Sequence, residues 1–401
     1  MNRRFQFAVV ASSSCLVGLL LFGAVRGRSE SSDNTYTHLG VYSEVLSRIK
    51  SDYVEEPNMK AVTEGAINGM LEALDPYASY LNADQYQQYL KSKNAPKAQV
   101  GLVLSRRYGY LSVVDALPGS PAAKAGMSTG DVIESINKVA TRDMPLAFAD
   151  ILLSGEPGTS VEMSVLRVRK SEPQTLTLTR TNPVYPPVSG KLVTEQGQQV
   201  GVIQTYSLAP GRAKDIAAQI DALTKQGAQR FVLDLRHCST GDYEEGIAVA
   251  NLFMDKGLIT YLQGQKVSRQ DFDAAASKQV TKAPLVVLVN RGTAGAAEIT
   301  AAALLDSKRA DVVGEHTYGD AGVRKAVTMD DGSAVILSVA KYYAPDGKAI
   351  QDTGVAPNVQ QDEMMASDDD DSDTPSTGPA PVDSIMQKGL DRVRVITTLK
   401  N

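Results

Sequence analysis

The sequence predicts a multidomain α/β protein, and three observations carry that prediction. At 401 residues the chain is long enough for two or three domains with a sizeable core. Its N-terminal part repeats apolar residues at i, i+3, i+4 and i+7, the stripe of amphipathic helices. From Gly201 onward, short β-branched runs alternate with helical patterns. That order builds a layered sheet with parallel pairing.

A formal charge of −5 leaves no basic footprint, so no nucleic-acid partner is expected. Three His and two Cys without an H-E-x-x-H pattern point to no metal site and no cofactor. Phe5 to Val25 is almost entirely apolar or small, with Arg3-Arg4 before it and Arg26 and Arg28 after it. About 20 such residues span a bilayer, so residues 1–28 are read as a signal anchor. The alternative is a cleaved signal peptide, for which Gly23-Ala24-Val25 offers a weak site. Either reading places the bulk of the chain outside the cytoplasm, in the periplasm or cell envelope, with an anchor holding it to the inner membrane. Cys15 lies inside the apolar run behind Ser12-Ser13-Ser14, a poor lipoprotein box. Cys238 is thereby left without a partner, and no intrachain disulfide is expected.

Ser29 to Thr35 reads as a polar linker. Residues 36–95 read as a helical module. Tyr42, Val45, Leu46, Ile49 and Tyr53 mark one helix, and Ile67, Met70, Leu71 and Leu74 a second that Asp75-Pro76 ends. Asn82-x-x-Gln85 has the form of a capping box opening a third helix to about Lys93.

Residues 99–182 resemble a PDZ domain. Gly101-Leu102-Val103-Leu104 stands where such domains place their carboxylate-binding loop, Ser120 to Gly126 the first helix, and Gly130-Asp131-Val132-Ile133 the start of the next strand. Pro145 to Leu153 would wall the peptide groove, and Val161 to Thr179 would supply the closing strands. Gly101, Leu102, Val103 and Leu104 are the peptide-binding candidates: successive backbone N–H groups cradle a chain terminus while the peptide adds to the sheet edge. The other reading is a degenerate PDZ that only packs on its neighbour.

Pro183 to Val188 is a linker into residues 188–360. There Gly201-Val202-Ile203 and Phe231 to Leu235 read as strands, and Ala213 to Leu223 and Glu244 to Phe253 as helices. Leu285 to Val289 is a buried strand feeding a small-residue turn and a helix, Ile299 to Leu305. Val312-Val313-Gly314 leads into Glu315 to Gly322. Two such turns about 25 residues apart frame a two-residue site. Residues 361–382, with Asp368 to Asp371, are an acidic low-complexity linker, and residues 383–401 hold a short terminal helix.

This stretch resembles the C-terminal processing peptidases (tail-specific proteases), a Ser/Lys serine-protease family. The resemblance spans about Tyr36 to Val359, including Gly69-Met70-Leu71-Glu72-Ala73-Leu74-Asp75-Pro76 and the closing Ala344 to Gln351 and Gly354 to Asn358. It implies a spiral α/β domain similar to the ClpP/crotonase architecture and a helical module that supports self-association. The family's first turn reads like S-A-S-A-S-E; aligning Glu298 puts its nucleophile at Gly295. Its second reads like G-E-x-T-[FY]-G-K-G, which puts the basic Lys at Asp320 and a supporting Gln at Arg324. The D-L-R-x-N-x-G-G turn matches Asp234-Leu235-Arg236 with Gly241, but Thr240 replaces a glycine. By resemblance the oxyanion-type loop comprises Thr240, Gly241 and Ala296, and Thr240 puts it in doubt by narrowing the backbone.

A Ser/Lys protease needs a hydroxyl to attack and a neutral lysine to take its proton. Gly295 has no side chain, Asp320 is a weak base with an ordinary pKa of ~3.9, and Arg324 stays protonated. Asp320 and Arg324 are expected to pair instead. Three rescues are conceivable: a Cys238/His316 dyad, Thr293 or Ser239 as nucleophile, and an Asp320/Asp306 carboxylate pair. The plainer reading makes His237 and His316 surface loop residues. The sequence thus favours an extracytoplasmic, proteolytically silent scaffold or regulator. It would bind peptide tails through its PDZ domain, self-associate, or pair with an active peptidase relative. The alternatives are an endopeptidase with relocated catalytic residues and a structural envelope subunit that binds no peptide.

Overall fold

The computed structural model describes residues 33–93, 98–107, 109–168, 170–363 and 383–396. The expected anchor at 1–28, Cys15 and residues 364–382 of the acidic linker lie outside them. Among the described residues no helix is long and apolar enough to cross a membrane. The chain divides into two units, residues 1–66 and 67–401.

In the first unit α1 (Asp33–Asp52) begins earlier than expected: Asp33 to Thr35, read as linker, are already helical. The second helix, α2 (Met59–Glu72), starts in this unit and ends in the next.

The second unit opens with a strand that periodicity does not reveal, β1 (Ser79–Leu81). Three residues are too few to display an alternation. The helix α3 (Ala83–Lys93) follows, and its capping box is present: Gln85 N donates to Asn82 Oδ1 (3.0 Å) and Asn82 N to Gln85 Oε1 (3.1 Å).

The PDZ-like part is a sheet in the order β2 (Leu102–Arg107), β3 (Tyr110–Ala116), β4 (Val132–Ile136), β6 (Ser160–Leu166), β7 (Gln174–Thr179), with β5 (Val139–Ala140) on β4. The short helix α4 (Pro121–Lys124) is capped by Ser120, whose hydroxyl accepts from Ala123 N. The helix α5 (Leu146–Leu153) packs on β2 and β4. Leu104, Leu111, Val113, Ile133, Ile136 and Met163 fill the core between them.

The peptidase-type part holds a six-stranded sheet in the order β17 (Val359–Gln360), β14 (Asp311–Gly314), β13 (Leu285–Val289), β10 (Arg230–Asp234), β9 (Gln198–Gln204), β8 (Ser189–Glu195). All its pairs are parallel except the β8–β9 hairpin. The helices α6 (Arg212–Lys225), α7 (Tyr243–Asn251) and α8 (Ala296–Asp306) cover one face. The terminal helix α9 (Ser384–Val395) covers the other, setting Ile385, Leu390 and Val393 on Val232, Val286 and Leu288. With both faces buried, the central strands are continuous apolar runs. A second sheet joins β1, β16 (Ala334–Tyr343), β11 (Leu258–Gly264) and β12 (Val267–Asp273), with β15 (Gly322–Thr328) on β16. Through β1, the segment after α2 becomes part of the peptidase-type domain.

Candidate functional site

Two turns meet at the carboxyl ends of β13 and β14. The first leaves β13 and ends at Gly295, the N-cap of α8, with φ 63° and ψ −120°. That backbone suits glycine and strains other residues. Space is not what excludes a side chain. A Cβ there would meet only the Asp320 carbonyl oxygen at 3.4 Å and Tyr243 Cε1 at 4.0 Å.

Glu298, one turn into α8 and fully buried, ties the two turns together. One carboxylate oxygen accepts from Gly295 N (2.9 Å) and Asp320 N (2.8 Å); the other accepts from Gly319 N (2.7 Å) and the Thr317 hydroxyl. Burial pushes its pKa up to about 7 even though these four donors pull it down.

In the second turn the expected pair forms: Arg324 donates to the Asp320 carboxylate. Arg324 also lies over the Tyr77 ring, 3.7 Å from its centroid, a cation–π contact. Burial raises the Asp320 pKa above the ordinary carboxylate range although Arg324 pulls it down. Burial works against the Arg324 charge, but Asp320 outweighs it and holds the guanidinium pKa above its usual value. Tyr243 anchors the same loop, its hydroxyl donating to Gly322 O (3.1 Å) and accepting from Gly322 N (3.2 Å). Tyr77 donates to Gly319 O (3.3 Å). Tyr77 and Tyr243 carry no signal in the sequence, because each reaches the site from a distant element. At the two turn positions that the sequence alignment singles out, there is a bare backbone and an ion-paired carboxylate.

Gly241, with φ 140°, passes so close to Leu208 that a Cβ would overlap the Leu208 carbonyl. Leu208 N donates to Thr240 O (2.8 Å) and Asp242 N to Leu208 O (3.0 Å), pinning the loop. Thr240 has no positive φ, so the expected conflict between its Cβ and the backbone does not arise: the glycine requirement falls on Gly241 alone. Ala296 is the first residue of α8, so its N–H has no acceptor within the helix. Thr240 and Gly241 are therefore held in a pinned loop, and Ala296 offers a backbone N–H at the start of α8.

The Cys238/His316 and Asp320/Asp306 pairs do not form, and the Thr293 and Ser239 hydroxyls are engaged elsewhere. Cys238 is fully buried, and burial pushes its thiol pKa far up, which removes the thiolate that a Cys/His dyad requires. His316 is an exposed loop residue, as expected, its Nδ1 3.0 Å from Thr317 O. The Thr293 hydroxyl is locked in the core, donating to Leu235 O (2.9 Å) and accepting from Asn290 N (3.0 Å). Ser239 donates to Asp115 Oδ2 (2.8 Å). Asp306 ends α8, about 15 Å along the helix from Ala296, and accepts from Asp346 N, so it makes no dyad with Asp320.

His237 lies in a surface loop as expected, its side chain 37% exposed, but its ring is engaged. Its Nδ1 is 3.0 Å from Asp115 Oδ1 on β3, and its Nε2 is 2.9 Å from Asn290 Nδ2. Asp115 is 1% exposed, so a PDZ carboxylate is buried against the loop that carries Thr240 and Gly241. Burial pulls the His237 pKa down, but Asp115 and then Glu363 outweigh it and hold it above its ordinary value. Beside this contact, a cleft of about 1130 Å³ runs between the PDZ sheet at Tyr110 and Val132 and the turns at Arg291, Glu315 and Tyr318.

In the PDZ loop, Gly101 has φ 82°, and a Cβ would overlap Ser120. Leu102 and Val103 are half-buried, whereas Leu104 turns into the PDZ core. Leu104 can therefore present only its backbone to a peptide. β2 is an edge strand, so the geometry for strand addition is present.

The comparisons agree with this architecture. Residues 199–361 match peptidase family S41, 112–167 a PDZ domain, and 23–85 the activating protease CtpB N-terminal domain. The chain is 35% identical over 320 residues to the carboxy-terminal processing protease CtpA of Bacillus subtilis (strain 168), covering 79% of this chain and 68% of that one. It is 33% identical over 331 residues to the carboxyl-terminal-processing protease of Picosynechococcus sp., covering 81% and 78%. Among solved structures, the photosystem II D1 C-terminal processing protease matches with a TM-score of 0.66 at 30% identity, covering 80% of this chain and 92% of that one. This chain belongs to the carboxy-terminal processing proteases of peptidase family S41.

Proposed function

We propose that this family member binds peptide and protein C-termini through its PDZ domain without cutting them, as a scaffold or as a regulator of an active relative. The observation that carries this reading is Gly295 at the elbow before α8, facing an Asp320–Arg324 ion pair. Neither position carries a serine, cysteine or lysine side chain to begin acyl transfer. The Gly101 loop and the free β2 edge support retained binding. Exposed Leu39, Val41 and Val45 on α1 support self-association through the helical module. The apolar run from Phe5 to Val25 supports action outside the cytoplasm from a membrane anchor; a reporter fused after Arg28 that is active only in the cytoplasm would contradict that placement.

The names of the relatives favour a second reading, a working endopeptidase. Incubating the purified chain without Met1 to Gly27 with an unstructured protein ending in an apolar tail decides between them. The expected result is binding of the tail with no new fragments. Fragments that persist in a preparation freed of contaminating proteases would overturn the scaffold reading.

A further inference from the structure

Arg106 is a buried cation on β2 whose guanidinium makes no hydrogen bond. It is 2% exposed, and its Nε and both terminal nitrogens are buried with no hydrogen-bond partner. Its nearest carboxylate oxygen, Glu72 Oε2 at the end of α2, is 3.9 Å away. Glu72 is already engaged, its Oε1 accepting from Gly109 N at 2.8 Å. A guanidinium taken out of water with its donors unused is costly, and five donors in a fixed fork match a carboxylate.

The position of Arg106 says which carboxylate. It lies on β2, the edge strand, two residues beyond Leu104 and therefore on the same face. Leu104 points into the PDZ core, towards the side that α5 covers. The cross-strand partner of Arg106 is Leu111, which is fully buried. A peptide adding antiparallel to β2, with its terminal carboxylate at Gly101-Leu102, runs towards Arg106. Residues paired directly across strands project to the same face. A peptide side chain about four residues before the terminus therefore points to the side on which Arg106 lies.

We propose that Arg106 is a specificity residue that selects an aspartate or glutamate about four residues upstream of the free C-terminus of the captured peptide. In the unliganded chain Glu72 stands near the guanidinium as a loose counter-charge, and the peptide carboxylate displaces Glu72 to reach donors that are otherwise closed to solvent. This inference rests on PDZ capture of C-termini.

The test is fluorescence-polarisation binding of short labelled peptides to the chain lacking Met1 to Gly27. The peptides share an apolar, free C-terminus and differ only in carrying Glu, Gln or Lys at that upstream position. The Glu peptide is expected to bind about tenfold or more tighter than the Gln peptide, and the Lys peptide weakest. Arg106→Met, which removes the charge and keeps an apolar stem, is expected to abolish the Glu preference while still binding the Gln peptide. Equal affinities for the Glu and Gln peptides on the native chain overturn the role of Arg106 and leave PDZ capture intact. Binding that is indifferent to C-terminal amidation, or absent for every peptide, overturns PDZ capture and this inference with it.

Discussion

Arg324 pairs with Asp320 and at the same time lies over Tyr77, 3.7 Å from the ring centroid. One side chain thus joins the turn at the base position to the segment between α2 and β1. Removing the guanidinium leaves a partly buried carboxylate with a like-charged neighbourhood and bares the Tyr77 ring. Arg324→Met is expected to cost about 1–3 kcal/mol, the lower part of the range for a broken buried pair because both side chains keep some water contact. Adding Asp320→Asn should recover much of that loss. A denaturant midpoint series on the two singles and the double checks the coupling; strictly additive changes would mean that the pair stores nothing.

The backbone at Gly295 keeps room for a side chain but strains it. Gly295→Ser is expected to cost about 1–2 kcal/mol of stability and to yield no hydrolysis, because Asp320 remains a poor base. Combining it with Asp320→Lys and Arg324→Gln places an amine where burial favours its neutral form. The triple variant is expected to cleave an unstructured substrate slowly. Fragment appearance on a gel reads the outcome, and silence of a folded triple variant would locate the defect in the Thr240-Gly241-Ala296 loop instead.

Glu298 serves four donors with two oxygens. Its isosteric amide offers one acceptor and sets an NH2 group against two of those donors. Glu298→Gln is expected to destabilise the chain by about 2–4 kcal/mol, the cost of leaving buried donors unpaired. Hydrogen exchange should localise the loss to the Gly295 and Gly319–Asp320 amides, and unchanged protection there would remove Glu298 from its tying role.

His237 has its pKa raised in the folded chain. The stabilisation its charge contributes is therefore complete below its unfolded value near ~6.5 and is lost as pH rises through the higher folded value. An NMR titration of the His237 ring should give a pKa above that of an unfolded-chain His. Asp115→Asn should lower it, because the main stabilising charge is gone. No change in that variant would show that Asp115 does not govern the titration.

Much of the fold was legible from short-range pattern. The apolar runs of β10 and β13 and the Asn82/Gln85 box each involve residues within a few positions of one another. Periodicity and capping are local by nature, so sequence alone reveals them. The presence of Gly295, Asp320 and Arg324 in the two turns was equally readable, because Glu298, Gly314-Glu315 and Tyr318-Gly319 mark where those turns lie.

The sequence by itself therefore determined the kinds of domain, the main helices and parallel strands, and the identity of the residues in the two turns. Only the tertiary structure decided what those residues touch. Tyr77 reaches Gly319 across 242 positions, and Asp115 reaches His237 across 122. The β1 strand gains its meaning only by pairing with Ala334 to Ile336, and Cys238 becomes inert only because the core closes around it. Burial and long-range pairing depend on which surfaces the completed chain brings together. No window of neighbouring residues contains that information.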